Sequence, residues 1–218
     1  MIILEKFKHR SWLDGRIVAI NGDCQEVMAE IEDKEIDLVL TDPPYGINAG
    51  KGIGRSIKNN PNINKGNWDI FTPPLIIFKE MERISKNQII WGGNYFSDKL
   101  KPSMCWLFWS KPNTENRNFA DGELAYTSFN KALKVFRKSS IDLERFHPTQ
   151  KPVALMAWCL NNYSKENDLV FDAFAGSFTT AIACIRTKRR FIGCELDPIY
   201  FEKACERIDT ELKQLTLF

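Results

Sequence analysis

Apolar and polar positions fall along this chain in blocks that read as strands and helices taken in turn. Residues 16–20 make a short apolar run that ends at Asn21-Gly22-Asp23-Cys24, and 35–40 make a second, containing Ile36, Leu38, Val39 and Leu40. After Pro73-Pro74 the residues Leu75, Ile76, Phe78, Met81 and Ile84 recur at helical spacing. Stretches 88–91, 104–109 and 123–129 predict further strands. The last third reads as a helix from Val153, a strand over 169–172, a helix from Thr179, a strand over 191–195 and a helix after Pro198, with 200–215 amphipathic. Strands that alternate with helices bury both faces of one sheet, so the pattern predicts an α/β, doubly wound fold.

Length and composition narrow the picture without naming a chemistry. With 218 residues and 44% hydrophobic content the chain can bury one sizeable core, and with no internal repeat it is taken as a single domain over 1–218. No apolar run approaches a membrane span, and Met1-Ile2-Ile3-Leu4-Glu5-Lys6 lacks the apolar stretch of a secretion signal, so a cytoplasmic protein without a membrane partner is expected. The six cysteines are scattered without C-x-x-C spacing and His9 and His147 are the two histidines, which predicts neither a disulfide framework nor a metal site. A net charge of +2 is too mild to demonstrate nucleic-acid binding. Any nucleic-acid contact must depend on where the cations cluster.

Three segments carry chemistry. Thr41-Asp42-Pro43-Pro44-Tyr45-Gly46 closes the second apolar run. Asp42 and the carbonyl of Pro43 can accept the two N–H hydrogens of a planar amine, Tyr45 can stack on the attached ring, and Pro43 and Pro44 stiffen the turn. The plain alternative is a strand followed by a proline-rich turn. Further on, Val170-Phe171-Asp172-Ala173-Phe174-Ala175-Gly176-Ser177-Phe178-Thr179-Thr180 delivers Asp172 on a strand, lets the backbone approach a ligand at Ala175, Gly176 and Ser177, and opens a helix at Thr179. Between them, His147-Pro148-Thr149-Gln150-Lys151-Pro152 precedes the helix at Val153.

Together these segments resemble the DNA amino-methyltransferases. The first matches their Asp-Pro-Pro-Tyr motif, the second their cofactor segment D-x-F-x-G-S-G-T-T, and the third their H-P-T-x-K-P. The motif order, with Asp-Pro-Pro-Tyr first and the cofactor loop late, is similar to the beta class of N6-adenine and N4-cytosine enzymes, over about 22–207. Phe178 departs from the pattern, since glycine is usual there, which puts the local backbone and the cofactor affinity in question. The resemblance implies a seven-stranded, mostly parallel Rossmann-like sheet in circularly permuted order, with S-adenosylmethionine as cofactor. It also implies direct transfer of a methyl group to a base flipped out of double-stranded DNA, in a solitary, phage or restriction-modification setting, with room for a homodimer. An Asp at the first motif position usually accompanies adenine, so Asp42 points to N6.

Site residues follow from the same match. Asp42, Pro43, Pro44 and Tyr45 are the catalytic set. The cofactor set is Asp23, Cys24, Asp42, Thr149, Lys151, Asp172, Phe174, Ala175, Gly176, Ser177, Thr179 and Glu195. In it Glu195 would accept from the ribose hydroxyls, Asp23 and the backbone of Cys24 would read the cofactor adenine, and Lys151 would neutralise the cofactor carboxylate. The alternative for either acid, Asp23 or Glu195, is an ordinary turn or cap residue. Between Gly46 and Trp68 a Gly- and Asn-rich stretch holds Lys51, Arg55, Lys58 and Lys65 and no acid, and is read as a mobile loop on DNA phosphates. The region 92–147, above all its polar part 113–121, takes the family's target-recognition position. A second basic run, Lys131, Lys134, Arg137 and Lys138, could flank the duplex, with a solvated face as the favoured reading. Other readings stay open: N4-cytosine methylation, methylation of an RNA or protein amine, and a nucleotide-binding module without activity.

Overall fold

A computed structural model describes residues 4–48, 69–112, 120–139 and 150–215. Its central strands are β2 (Ile17–Asn21), β3 (Ile36–Thr41), β4 (Ser85–Trp91), β8 (Leu169–Asp172) and β9 (Arg190–Glu195). They run parallel in the order β2-β9-β8-β3-β4. Parallel strands need crossovers, and here helices supply them. These are α1 (Cys24–Ala29), α2 (Leu75–Ile84) and α4 (Thr179–Arg186), while α3 (Val153–Tyr163) leads into β8 and α5 (Pro198–Leu215) follows the last strand.

The two faces of the sheet bury separate cores. Leu38, Leu40, Ile89, Val170 and Phe191 pack with Leu155, Met156 and Leu160 of α3, Ile182 of α4 and Phe201 and Ile208 of α5. Ile36, Val39, Ile90 and Phe171 pack with Val27 and Met28 of α1 and Ile77, Phe78 and Met81 of α2. This is why β3 is buried at five of its six positions rather than at alternate ones. Leu75 and Ile76, grouped with the helix stripe in the sequence, are exposed, and Ile77 takes the buried position.

The described sheet has nine strands where seven were expected. β1 (Lys8–Trp12) pairs antiparallel with β2 at one edge. At the other, β6 (Gly122–Thr127) is antiparallel to β4, β5 (Trp106–Ser110) to β6, and β7 (Lys134–Arg137) runs parallel to β5. The edge strands β1 and β7 are mostly exposed, so neither carries the apolar alternation that marks a strand. Lys134 and Arg137 of the basic run lie on β7. Six-residue α1 is also too short to announce itself. The described parts of 92–147 thus extend the same sheet, while 113–119 of the recognition stretch lie outside the described residues.

The strand order reverses direction between β8 and β3. From β8 the chain crosses to β9 on one side, and from β3 to β4 on the other. Ligands of open α/β sheets bind in the crevice at the carboxyl ends of strands at such a point. Asp172 closes β8 and Asp42 follows β3, so the two motifs meet there.

Candidate active site at the carboxyl edge of the sheet

Asp172 is the pin that joins the two motifs. Its carboxylate is buried and accepts from Thr41 Oγ1 at the end of β3 (2.7 Å), from Thr180 Oγ1 in α4 (2.7 Å) and from the N–H of Phe174 (3.1 Å). Burial, opposed by these bonds, raises its pKa to about 6. Its bonding capacity is thus directed at the protein, and it fixes the spacing between the loop after β8 and the turn after β3.

That loop is shaped by Gly176 and Phe178, both with positive φ (51° and 53°). Phe178 has φ 53° and ψ 36°, the left-handed conformation that costs an ordinary residue about 1–2 kcal/mol. Its ring is fully buried and meets Phe191 and Phe201 edge-on, at 6.0 and 6.4 Å between centroids. The burial outweighs the strain. The side chain therefore points into the core, and the backbone keeps the shape that glycine usually provides. Ser177 and Thr179 are buried, share a hydroxyl contact at 3.0 Å and bind Arg207 of α5, so they anchor the loop from beneath.

Glu195 ends β9 beside the loop. Its Oε2 accepts from the N–H of Gly176 (3.0 Å) and its Oε1 from the N–H of Asp197 (2.8 Å), and burial raises its pKa to about 7. Two backbone bonds leave this carboxylate with lone pairs to spare. Asp23 follows the adjacent strand β2 and caps α1, accepting from Gln25 N–H at 2.7 Å. The cap reading of Asp23 therefore holds, and its carboxylate lies at the same edge of the sheet as Glu195. Ala175 is buried, and Phe174 packs partly buried against the α1–α2 side.

Across the crevice a second cluster surrounds the Asp-Pro-Pro-Tyr turn. Tyr45 donates to Asp42 Oδ1 at 2.6 Å, and Lys151 Nζ reaches Asp42 Oδ2 at 2.5 Å. The same ammonium lies 3.1 Å from Tyr45 Oη and 2.9 Å from Oε2 of Glu123 on β6, whose other oxygen binds Lys111. The Tyr45 ring stacks on Tyr95, with centroids 4.8 Å apart and planes 13° from parallel, and Phe96 meets its edge. Gly92 makes room for it, since a Cβ there would fall 2.1 Å from the ring. Burial pushes the Asp42 carboxyl up, and Lys151 opposes the rise. Burial acts likewise on Glu123, but Lys151 and Lys111 overcome it and hold that group at about 2. Lys151 stays charged despite its burial because both carboxylates face it.

The turn itself is anchored through Asp69, which accepts from the N–H of Gly46 (2.8 Å) while its carbonyl accepts from Asn48 (2.8 Å). Thr149 and the cations Lys51, Arg55, Lys58 and Lys65 lie outside the described residues. Glu123, Lys111 and Tyr95 were missed from the sequence. An acid opening an otherwise apolar strand was the available signal for Glu123.

With the geometry in hand, the chain can be set beside known proteins. A family model described as DNA methylase matches residues 79–206. The putative methylase YubD of Escherichia coli (strain K12) is 28% identical over 209 residues, covering 87% of this chain and 88% of that protein. The crystal structure of the M1.HpyAVI–SAM complex superposes with a TM-score of 0.62 at 23% identity, covering 88% of this chain and 98% of the other. PvuII DNA methyltransferase, a cytosine-N4-specific enzyme, shares the fold at a TM-score of 0.59 and 15% identity, covering 88% and 86%.

Proposed function

The chain belongs to the DNA methylase family that matches it over 79–206, and from that membership we propose that it transfers a methyl group from S-adenosylmethionine to the N6 amino group of adenine in double-stranded DNA. The observation that carries the adenine reading is Asp42, an acid at the first position of the motif, held at the crevice where the strand order reverses.

The cofactor end fits its ligand. Glu195 offers acceptor capacity to a ribose, Asp23 lies at the end of the adjacent strand, and the left-handed backbone at Gly176 and Phe178 keeps side chains out of the loop. Ala175, Gly176 and Ser177 would line the cofactor's path, Phe174 would pack near it, and Thr149 and the backbone of Cys24 complete the set. Bound S-adenosylmethionine supplies a methyl group already activated on a sulfonium, so the protein needs no covalent intermediate.

Everything else falls to side chains of the amine end. The N6 lone pair is delocalised into the purine, and the nitrogen becomes nucleophilic as it pyramidalises. Asp42 and the Pro43 carbonyl accept its two hydrogens and favour that change, and they stabilise the positive charge that then develops. Asp42 next takes up the proton that the nitrogen loses, a task its burial assists by raising the carboxyl's proton affinity. Pro44 holds the turn, and Tyr45 supplies a stacking face, which fixes the base and aligns its nitrogen. Tyr95 already covers Tyr45 in parallel fashion, so a base on that face must displace it.

The cations Lys51, Arg55, Lys58 and Lys65 are proposed to contact phosphates, and 92–147 to contribute to site choice. Nucleoside analysis of DNA from cells that lack adenine methylation and express this chain is the test. N6-methyladenine is expected with the intact chain and not with Asp42→Ala, whereas N4-methylcytosine would move the reading to the other branch of the family.

A further inference from the structure

Glu123 belongs to none of the motifs, yet it is built into the amine end. It opens β6 next to Gly122, and it meets three groups from three other elements. These are Lys111 just after β5, Lys151 just ahead of α3, and Tyr45 in the turn after β3. Asp42 and, behind it through Thr41, Asp172 complete the charged surroundings.

The hydrogen-bond geometry poses a problem that Glu123 answers. An ammonium has three N–H bonds, and those of Lys151 reach Asp42 Oδ2, Glu123 Oε2 and Tyr45 Oη. The phenol has one O–H, with acceptors on Asp42 at 2.6 Å and on Glu123 at 3.1 Å. Both oxygens of Asp42 are therefore engaged within the protein, one by Lys151 and one by Tyr45. Each oxygen keeps a second lone pair, so an incoming amine either shares the oxygen with the donor already there or displaces that donor. If Asp42 were the sole carboxylate here, a displaced ammonium would be left buried and unpaired.

Resting on the reading of Asp42 as the amine's acceptor, we propose that Glu123 is a positioning residue, a second and permanently charged station that takes the hydrogen bonds of Lys151 and Tyr45 when the amine claims Asp42. Lys111 keeps that station ionised through its own ion pair. The exchange involves no net charge transfer. Lys151 and the phenol lean from one carboxylate to another that they already touch. Lys151 and the Tyr45 hydroxyl thus each keep a carboxylate partner when the amine takes Asp42.

Glu123→Gln keeps the shape and removes the charge, so it separates the station from mere packing. In the ligand-free protein, carbon-13 carboxyl NMR of Asp42 is expected to show a lower titration midpoint in Glu123→Gln than in the parent. A negative neighbour has gone, and Lys151 now pairs with Asp42 alone. Glu123→Asp, which keeps the charge, is expected to return the midpoint toward the parent value. Single-turnover methyl transfer to duplex DNA should fall about tenfold or more in Glu123→Gln, since the amine must then win Asp42 from an undivided ion pair. An unchanged or raised midpoint overturns the proposal, and so does full turnover in Glu123→Gln. Turnover surviving in Asp42→Ala would instead remove the acceptor assignment, while the Asp42 midpoint still decides the hold of Glu123 on Lys151.

Discussion

At the ends of β8 and β9 the carboxylates of Asp172 and Glu195 are held by backbone N–H groups and threonine hydroxyls, whereas across the crevice those of Asp42 and Glu123 are held by lysines. Burial is common to both ends, so the partners decide the outcome. Held by neutral donors the carboxyls rise to about 6 and about 7, and with two lysines Glu123 falls to about 2, while Asp42, with one lysine and the charge of Glu123 beside it, is still pushed up by burial. The first end suits neutral hydroxyl donors, which favour ionised Glu195 without adding charge. The second is balanced in itself, its carboxylates already shared between lysines and a phenol. On the proposed reading the first end binds the cofactor and the second turns the amine over, and substitutions should divide accordingly.

The largest effect is expected from the packing beneath the loop after β8. Phe178→Ala should destabilise the protein by about 3–5 kcal/mol through loss of a buried ring, measured by urea denaturation. Phe178→Gly should cost about 1 kcal/mol less than alanine, because glycine adopts the left-handed conformation freely. Equal losses would mean that the backbone at 178 is unstrained. Next comes Asp42→Ala, which should slow single-turnover methyl transfer by about 10²–10³-fold, the scale of losing one preorganised transition-state contact. Cofactor affinity measured by calorimetry should stay near that of the parent, and a large fall there would erase the division of labour.

Glu195→Gln is the mirror experiment, expected to weaken S-adenosylmethionine binding by about 1–3 kcal/mol with a much smaller effect on the rate from the bound state. Tyr45→Phe keeps the stacking face but removes the hydroxyl bond to Asp42, worth about 0.5–1.5 kcal/mol. A modest change in turnover is expected, and damage equal to Tyr45→Ala would make the hydroxyl part of the chemistry. The smallest effect is that of pH. Glu195 has a raised folded pKa, about 7. Its contribution to ligand-free stability is therefore fully present below its unfolded pKa and is lost as pH rises through about 7. A ligand whose hydroxyls donate to the carboxylate favours the ionised form, so cofactor affinity should rise over the same interval, with proton release on binding. Affinity that falls with rising pH would contradict the ribose assignment.

The sequence made the two ends unequally legible. Asp42, Tyr45, Asp172 and Gly176 lie in contiguous runs closing apolar strands, where local pattern and chemistry coincide. The pin from Asp172 to Thr41 spans 131 positions, and the Glu123 station draws on four separate elements, so neither leaves a local trace. The pairing of Trp109 with Glu123 in the β5–β6 ladder brings Lys111 to that acid, and the register of two antiparallel strands is not written in either strand alone. Phe178 was visible as a departure, but its resolution needed the opposing rings of Phe191 and Phe201. The exposed edges β1 and β7 carried too little apolar pattern to be read.

The central claim, that an amine on a DNA base is methylated at the Asp42 end, is tested most directly by transfer of labelled methyl from S-adenosylmethionine. Duplex DNA, single-stranded DNA, RNA and protein would be offered side by side, and the modified base mapped. Label in duplex DNA that digestion recovers as N6-methyladenine is the expected result. Label confined to RNA or protein, or none in any substrate although S-adenosylmethionine is bound, would contradict it.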